Sequence, residues 1–260
     1  MHIGLKNLIS AGPLIGLNMK HVVVTGATGG MGRSTCRLLL SKGYSVLALG
    51  TSRAKLSLLK ETCNSEFLYT LALSFQEPDY FKVFQNYLDA LGWDKLYGLI
   101  HLAAVSKGNR LSLISEEDWQ ESFQINVHAP MKITQLCLPL MQANEQGSII
   151  FVSSPVALVG ARKISYASTK SALHGLMISI AKEQGINNIR ANLLLPGPTI
   201  TDMTKDWSIE KRTNIAQQPF LKRLCEPDEV AKVLEFVLSE QASFMTGSVV
   251  DLTAGSMIGH

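Results

Sequence analysis

Charge is scarce in this chain. Asp, Glu, Lys and Arg make up 17% of its 260 residues, too few for long solvated tracts without structure. The 24 basic residues are scattered and the net charge is only +3. Neither a polybasic patch for nucleic acid nor one for an anionic membrane surface is present. Cysteine is sparse as well. Cys36, Cys63, Cys137 and Cys225 form no CxxC pair, and no His stands at ligand spacing from them, so no metal site is expected. Cys36 and Cys137 fall in apolar helical patterns and are expected as buried thiols, in a reducing, cytoplasmic setting. No apolar run reaches the length of a bilayer span. Repeats, low-complexity tracts and linkers are missing too. What is abundant is hydrophobic residues, at 46%, enough for one large core. Residues 1–18 read as a loosely ordered leader and residues 19–260 as a single domain.

Residues 21–25 (HVVVT) are a β-branched run of the kind buried on both faces of a sheet. It leads directly into Gly26-Ala27-Thr28-Gly29-Gly30-Met31-Gly32 and an amphipathic stretch, 33–42, closed by Gly43. Strand, glycine-rich turn and helix in that order let a backbone approach a pyrophosphate, with free N–H groups and the positive helix end facing it. A second strand, 45–50, ends at Gly50-Thr51-Ser52-Arg53 with no carboxylate for ribose hydroxyls. Arg53 could pair with a 2′-phosphate instead, or merely cap a solvated helix end. NADP(H) is therefore preferred, with NAD(H) possible.

Further strands are expected over 67–73, 96–104, 147–153, 189–195 and 248–252, and helices over 78–90 and 227–238. Ser115 and Asp118 have capping-box spacing before a helix running towards Met141, which Pro130 and Pro139 should bend or shorten. The alternation predicts an α/β fold: a parallel sheet of about seven strands with helices on both faces. Residues 199–219 lack strong periodicity, hold Trp207 and read as a mobile lid.

Ser165-Tyr166-Ala167-Ser168-Thr169-Lys170 opens an apolar-periodic helix. Residues four apart share a helix face, so the Tyr166 phenol and Lys170 ammonium should project together. A neighbouring cation lowers a phenol's pKa from about 10, which would make Tyr166 a proton donor and acceptor. By itself the pair is more often a Tyr and a Lys on a solvated face.

In this order the motifs resemble the short-chain dehydrogenase/reductase family, over about 20–257, and within it the 3-oxoacyl reductases. Thr25, Gly26, Gly30 and Gly32 match TGxxxGxG; Asn126, Ser154, Tyr166 and Lys170 match its helix asparagine, its serine and YxxxK; Asn192, Pro196, Gly197 and Thr201 match NxxxPGxxxT. Residues 247–255 (GSVVDLTAG) are similar to its last strand and turn. The resemblance implies a Rossmann-type doubly wound sheet and a ketone–alcohol oxidoreductase. Tyr166 would protonate the alkoxide, Ser154 polarise the carbonyl, Lys170 lower the Tyr166 pKa and hold ribose, and Asn126 hold a relay water. Gly26, Thr28, Gly30, Met31, Gly32, Ser52, Arg53, Ala103, Pro196, Gly197, Thr199 and Thr201, with Tyr166 and Lys170, would hold the dinucleotide. Val105, Val156, Met203, Trp207 and Met257 should border an apolar ketone, alcohol or acyl thioester. A homotetramer or homodimer is implied.

Some residues depart from the family pattern. His101-Leu102-Ala103-Ala104 replaces NNAG and is similar to an epimerase-like branch, whose TGxxGxxG the glycine turn also satisfies. His101 reads as a satisfied core histidine. The acid expected near Ser74 for adenine is missing. A binding-only regulator and an epimerase or dehydratase remain as alternative readings.

Overall fold

The strands alternate between two cores with the two-residue period of a pleat. Val23, Leu47, Leu99, Phe151 and Leu193 point to one face; Val22, Val24, Val46, Ile100, Ile150 and Leu194 point to the other. The computed structural model describes residues 19–202 and 204–257. The expected leader, 1–18, and Met203 lie outside the described residues.

Among the described residues the strands are β1 (His21–Thr25), β2 (Ser45–Gly50), β3 (Leu68–Ala72), β4 (Gly98–His101), β5 (Gly147–Val152), β6 (Ile189–Pro196) and β7 (Val249–Leu252). They form one parallel sheet in the order β3-β2-β1-β4-β5-β6-β7. The helices are α1 (Gly30–Ser41), α2 (Arg53–Cys63), α3 (Tyr80–Leu91), α4 (Glu116–Phe123), α5 (Ala129–Ala143), α6 (Val156–Val159), α7 (Ile164–Gln184), α8 (Ile209–Ala216) and α9 (Pro227–Leu238). Helices α3, α5 and α7 cover one face, with Phe84, Ile133 and Met177 in the core. Helices α1, α2 and α9 cover the other, with Leu39, Leu56 and Leu234. This is the expected doubly wound sheet. Chain direction across it reverses between β1 and β4, which opens a crevice at their C-terminal ends.

Three local differences from the sequence-based expectation matter for the site. The strand expected over 96–104 leaves the sheet after His101, because Leu102, Ala103, Ala104 and Val105 turn aside to line the crevice. The long helix towards Met141 is broken by a π turn at Gln124–His128 rather than by proline. Pro130 directly follows the π turn, in the first turn of α5, and Pro139 stays within α5. The extra residue of the π turn is what places Asn126 in the interior. Helix α2 carries little periodicity: only Leu56 and Leu59 are buried.

Two polar residues tie the last third of the chain to the sheet. Arg190 donates to the carbonyls of Val237, Leu238 and Ser239 at 2.9–3.1 Å, capping the C-terminal end of α9. Asn192 donates to Met245 O and accepts from Ser248 N, holding the lead into β7. The Ser115 hydroxyl caps α4 by accepting from Asp118 N at 3.1 Å, whereas a reciprocal capping box stands at α9, between Glu226 and Glu229. Residues 199–219 are anchored at their root, where Ile200 N donates to Cys225 O and Cys225 N to Pro198 O, and they contain α8.

Candidate active site

The glycine-rich turn is built from close backbone approaches. Gly26 has φ +66°, and a Cβ there would lie 2.6 Å from Ala103 N. A Cβ on Gly32 would lie 2.3 Å from Gly26 O. Thr28 lies over Gly50, where a Cβ would meet its methyl at 2.7 Å. Helix α1 begins at Gly30, so its first-turn N–H groups open onto the crevice. The resulting cleft, about 550 Å³, gathers Gly26, Thr28, Gly30, Met31 and Gly32 with Ala103 and Thr201. A cradle of bare backbone at a helix N-terminus and a switch point fits the pyrophosphate of a dinucleotide. The end of β2 offers no acid, and Leu73 and Ser74 line the wall beyond β3.

The other residues expected at the dinucleotide lie around this cleft rather than in its lining. Ser52 caps α2 by accepting from Lys55 N. Arg53, exposed, is the first residue of α2. Pro196 closes β6 opposite Leu252, Gly197 N donates to Leu252 O at 2.9 Å, and the Thr199 hydroxyl donates to Gly197 O.

Ser154 directly follows Ser153 beyond β5, and the two diverge. Ser153 is buried and its hydroxyl donates to Lys170 O at 2.9 Å. Ser154 is half-buried, with its hydroxyl near enough to the Tyr166 phenol to pull the phenol's pKa down. Tyr166 and Lys170 stand one turn apart on α7, the ammonium 5.7 Å from the ring centroid. Lys170 Nζ donates to Val152 O at 2.7 Å. Burial lowers the Lys170 pKa to about 8.

The pKa of Tyr166 runs against the sequence-based expectation. Burial raises it, and the nearby Ser154 hydroxyl works in the opposite direction. The Lys170 ammonium lies on the ring side of Tyr166 and donates to a backbone carbonyl. The Asn126 side chain is engaged on three protein groups. Asn126 Oδ1 accepts from Val105 N at 2.9 Å, while Nδ2 donates to Val105 O at 2.9 Å and Thr169 Oγ1 at 3.0 Å. It fastens α7 and the π turn to the segment after β4. His101 is buried, stacked on Phe151 at 4.9 Å. Its Nε2 pairs with Thr134 Oγ1 at 3.0 Å, but Nδ1 has no partner among the described residues, so the histidine is only half satisfied. Burial first, and then the charge of Lys170, hold its pKa down to about 3, so the imidazole is neutral.

Of the residues expected to border a substrate, Val105, Val156, Trp207 and Met257 are half-buried, with Met257 packed on the core. One residue escaped the motifs altogether. Asp202 lines the cleft and pairs with Arg33 and Lys55; its only signal in the sequence is that it follows Thr201.

Comparison with known proteins agrees with this architecture. The family model for short chain dehydrogenase matches residues 20–212. A 3-oxoacyl-acyl-carrier-protein reductase of Aquifex aeolicus is 32% identical, covering 93% of this chain and 98% of its own. An L-xylulose reductase of Caenorhabditis elegans is 31% identical, covering 91% and 95%. The solved structure of a short-chain type dehydrogenase/reductase from Mycobacterium ulcerans superposes with a TM-score of 0.85 at 26% identity, covering 92% of this chain and 90% of that one. The chain belongs to the short-chain dehydrogenase family and is an oxidoreductase that interconverts a ketone and a secondary alcohol with a nicotinamide dinucleotide.

Proposed function

We propose that the protein is an NADPH-dependent reductase of apolar ketones, with 3-oxoacyl thioesters as the foremost substrate class. The observation that carries this reading is the pairing of Tyr166 with the buried Lys170 one helical turn on, the ammonium 5.7 Å from the ring centroid, with Ser154 following the end of β5 nearby. NADPH, held along the glycine turn by the residues named above, would supply the hydride. Each side chain then has a separate task. Ser154 would donate to the carbonyl oxygen and stabilise charge there. Tyr166, protonated at neutral pH because burial raises its pKa, would deliver a proton to the same oxygen. Lys170, with a pKa near 8, would carry the replacement proton. Asn126 would keep α7 and the segment after β4 in register.

Preference for NADPH is supported by the cations Arg33, Arg53 and Lys55 at the cleft's edge and by the lack of an acid after β2. The half-buried apolar residues Val105, Val156 and Trp207 favour an acyl chain over the sugar named for the nematode relative. No helix of the described residues is long and apolar enough to cross a membrane. All four cysteines are free, which suits a reducing cytoplasm. Helices α5 and α7 expose Met131 and Ile178 and are the faces we assign to a homodimer or homotetramer.

The test is a rate comparison with purified protein. NADPH and NADH are each offered with a 3-oxoacyl thioester, L-xylulose and a small diketone. Fastest turnover of the thioester with NADPH is expected. Turnover of the sugar alone, or of nothing in the panel, would refute the substrate assignment.

A further inference from the structure

Arg33 and Lys55 come from different helices, α1 and α2, and converge on one carboxylate. Arg33 Nη1 lies 3.2 Å from Asp202 Oδ2 and Lys55 Nζ lies 3.6 Å from the same oxygen. Arg33 also donates to Thr28 O at 2.6 Å, so the guanidinium is fixed on the glycine turn itself. Asp202 is part of the cleft wall, beside Thr28, Gly29 and Gly30. It arrives there from the other half of the molecule, at the root of residues 199–219. The approach is tight: a Cβ on Gly30 would already press on Thr201 at 3.2 Å. An anion contributed by the chain thus sits between two cations at the edge of a cleft shaped for phosphates.

We propose that Asp202 is an internal stand-in for a phosphate of the dinucleotide: it occupies the Arg33–Lys55 anion site in the free protein and gives those two cations up to the cofactor. This rests on the NADPH reading above and deepens it. Two roles follow from one contact. Arg33 and Lys55 are phosphate-binding cations, additional to Arg53. Asp202 is a positioning residue that sets affinity by competition and couples phosphate binding to the root of 199–219. The ion pairs are partly exposed, with Arg33, Asp202 and Lys55 side chains at 39%, 44% and 58%. Such pairs exchange readily with a solute anion and weaken with salt.

Titration calorimetry with NADP⁺, NAD⁺ and adenosine 2′,5′-bisphosphate, on wild type, Asp202→Asn and Lys55→Gln, tests this without turnover. Asp202→Asn should bind NADP⁺ and the bisphosphate about three- to tenfold more tightly, the size expected for removing two partly exposed pairs. Lys55→Gln should weaken both by a similar factor. Tightening confined to these two ligands makes the 2′-phosphate the occupant; equal tightening for NAD⁺ makes it the pyrophosphate. Either supports the exchange. Unchanged or weaker NADP⁺ binding in Asp202→Asn overturns it. Amide exchange gives a second readout: the bisphosphate should alter protection across 199–219 in wild type and not in Asp202→Asn. Equal changes in both proteins would count against the coupling. Failure of the underlying reading looks different, since wild type itself would then bind NAD⁺ as tightly as NADP⁺.

Discussion

Removing the Asn126 side chain separates a structural role from a chemical one. Asn126→Ala deletes three hydrogen bonds at 2.9, 2.9 and 3.0 Å from a residue that is 1% exposed. A bond whose partners rehydrate contributes about 1 kcal/mol, and a buried group left dry costs about 1–3 kcal/mol. Thr169 keeps a second bond, to Tyr166 O, and Val105 is half-buried beside the cleft, within reach of water. The sum is a loss of about 3 kcal/mol, with a range of about 2–5 kcal/mol. At a urea slope of about 2–3 kcal/mol per molar for a chain of this size, the unfolding midpoint should fall by about 1 M. Urea titration followed by circular dichroism reads this directly. A variant with an unchanged midpoint but strongly reduced turnover would refute the fastening role and return the side chain to the chemistry.

Three further outcomes are expected. Gly32→Ala should close the glycine turn on itself, because the new methyl would meet Gly26 O at 2.3 Å; a loss of about 1–3 kcal/mol in stability together with lost NADP⁺ binding is expected, and near-wild-type binding would contradict the packing. Lys170→Met tests burial of the ammonium. The folded pKa is depressed from 10.5 to about 8, so the unfolded chain binds the extra proton within that window and wild-type stability rises through it with pH. Relative to Lys170→Met, wild type should gain up to about 3 kcal/mol between pH 7.5 and pH 10.5, and a flat difference in urea titrations would refute this. Arg190→Met leaves the α9 carbonyls of Val237, Leu238 and Ser239 without their donor. A cost of about 3–5 kcal/mol should lower the thermal midpoint by about 10 °C, and a fall below about 3 °C would contradict the capping role.

Features written in local residue chemistry were legible in the sequence. The run HVVVT into a glycine turn placed β1, the turn and α1 together because backbone sterics require glycine there. The four-residue spacing of Tyr166 and Lys170 survives folding because a helix preserves it. Ser154 was placed by motif order, and its neighbour Ser153 turns to Lys170 O. What sequence spacing cannot carry is where a long side chain ends. It could not show the Lys170 ammonium on Val152 O, or burial dominating the Tyr166 pKa. Nor could it show the π turn, within which Asn126 bonds to both the segment after β4 and α7. Asp202 meets Arg33 across 169 positions, a pairing that exists only once both halves of the sheet are assembled.

The central claim is that Tyr166 supplies the proton to the substrate oxygen. The most direct test compares wild type and Tyr166→Phe in one assay, following NADPH consumption with a 3-oxoacyl thioester and measuring NADPH affinity alongside. Turnover should fall by about a thousandfold, with affinity within about threefold of wild type because only a hydroxyl is removed. Retention of a tenth or more of the wild-type rate would contradict the assignment.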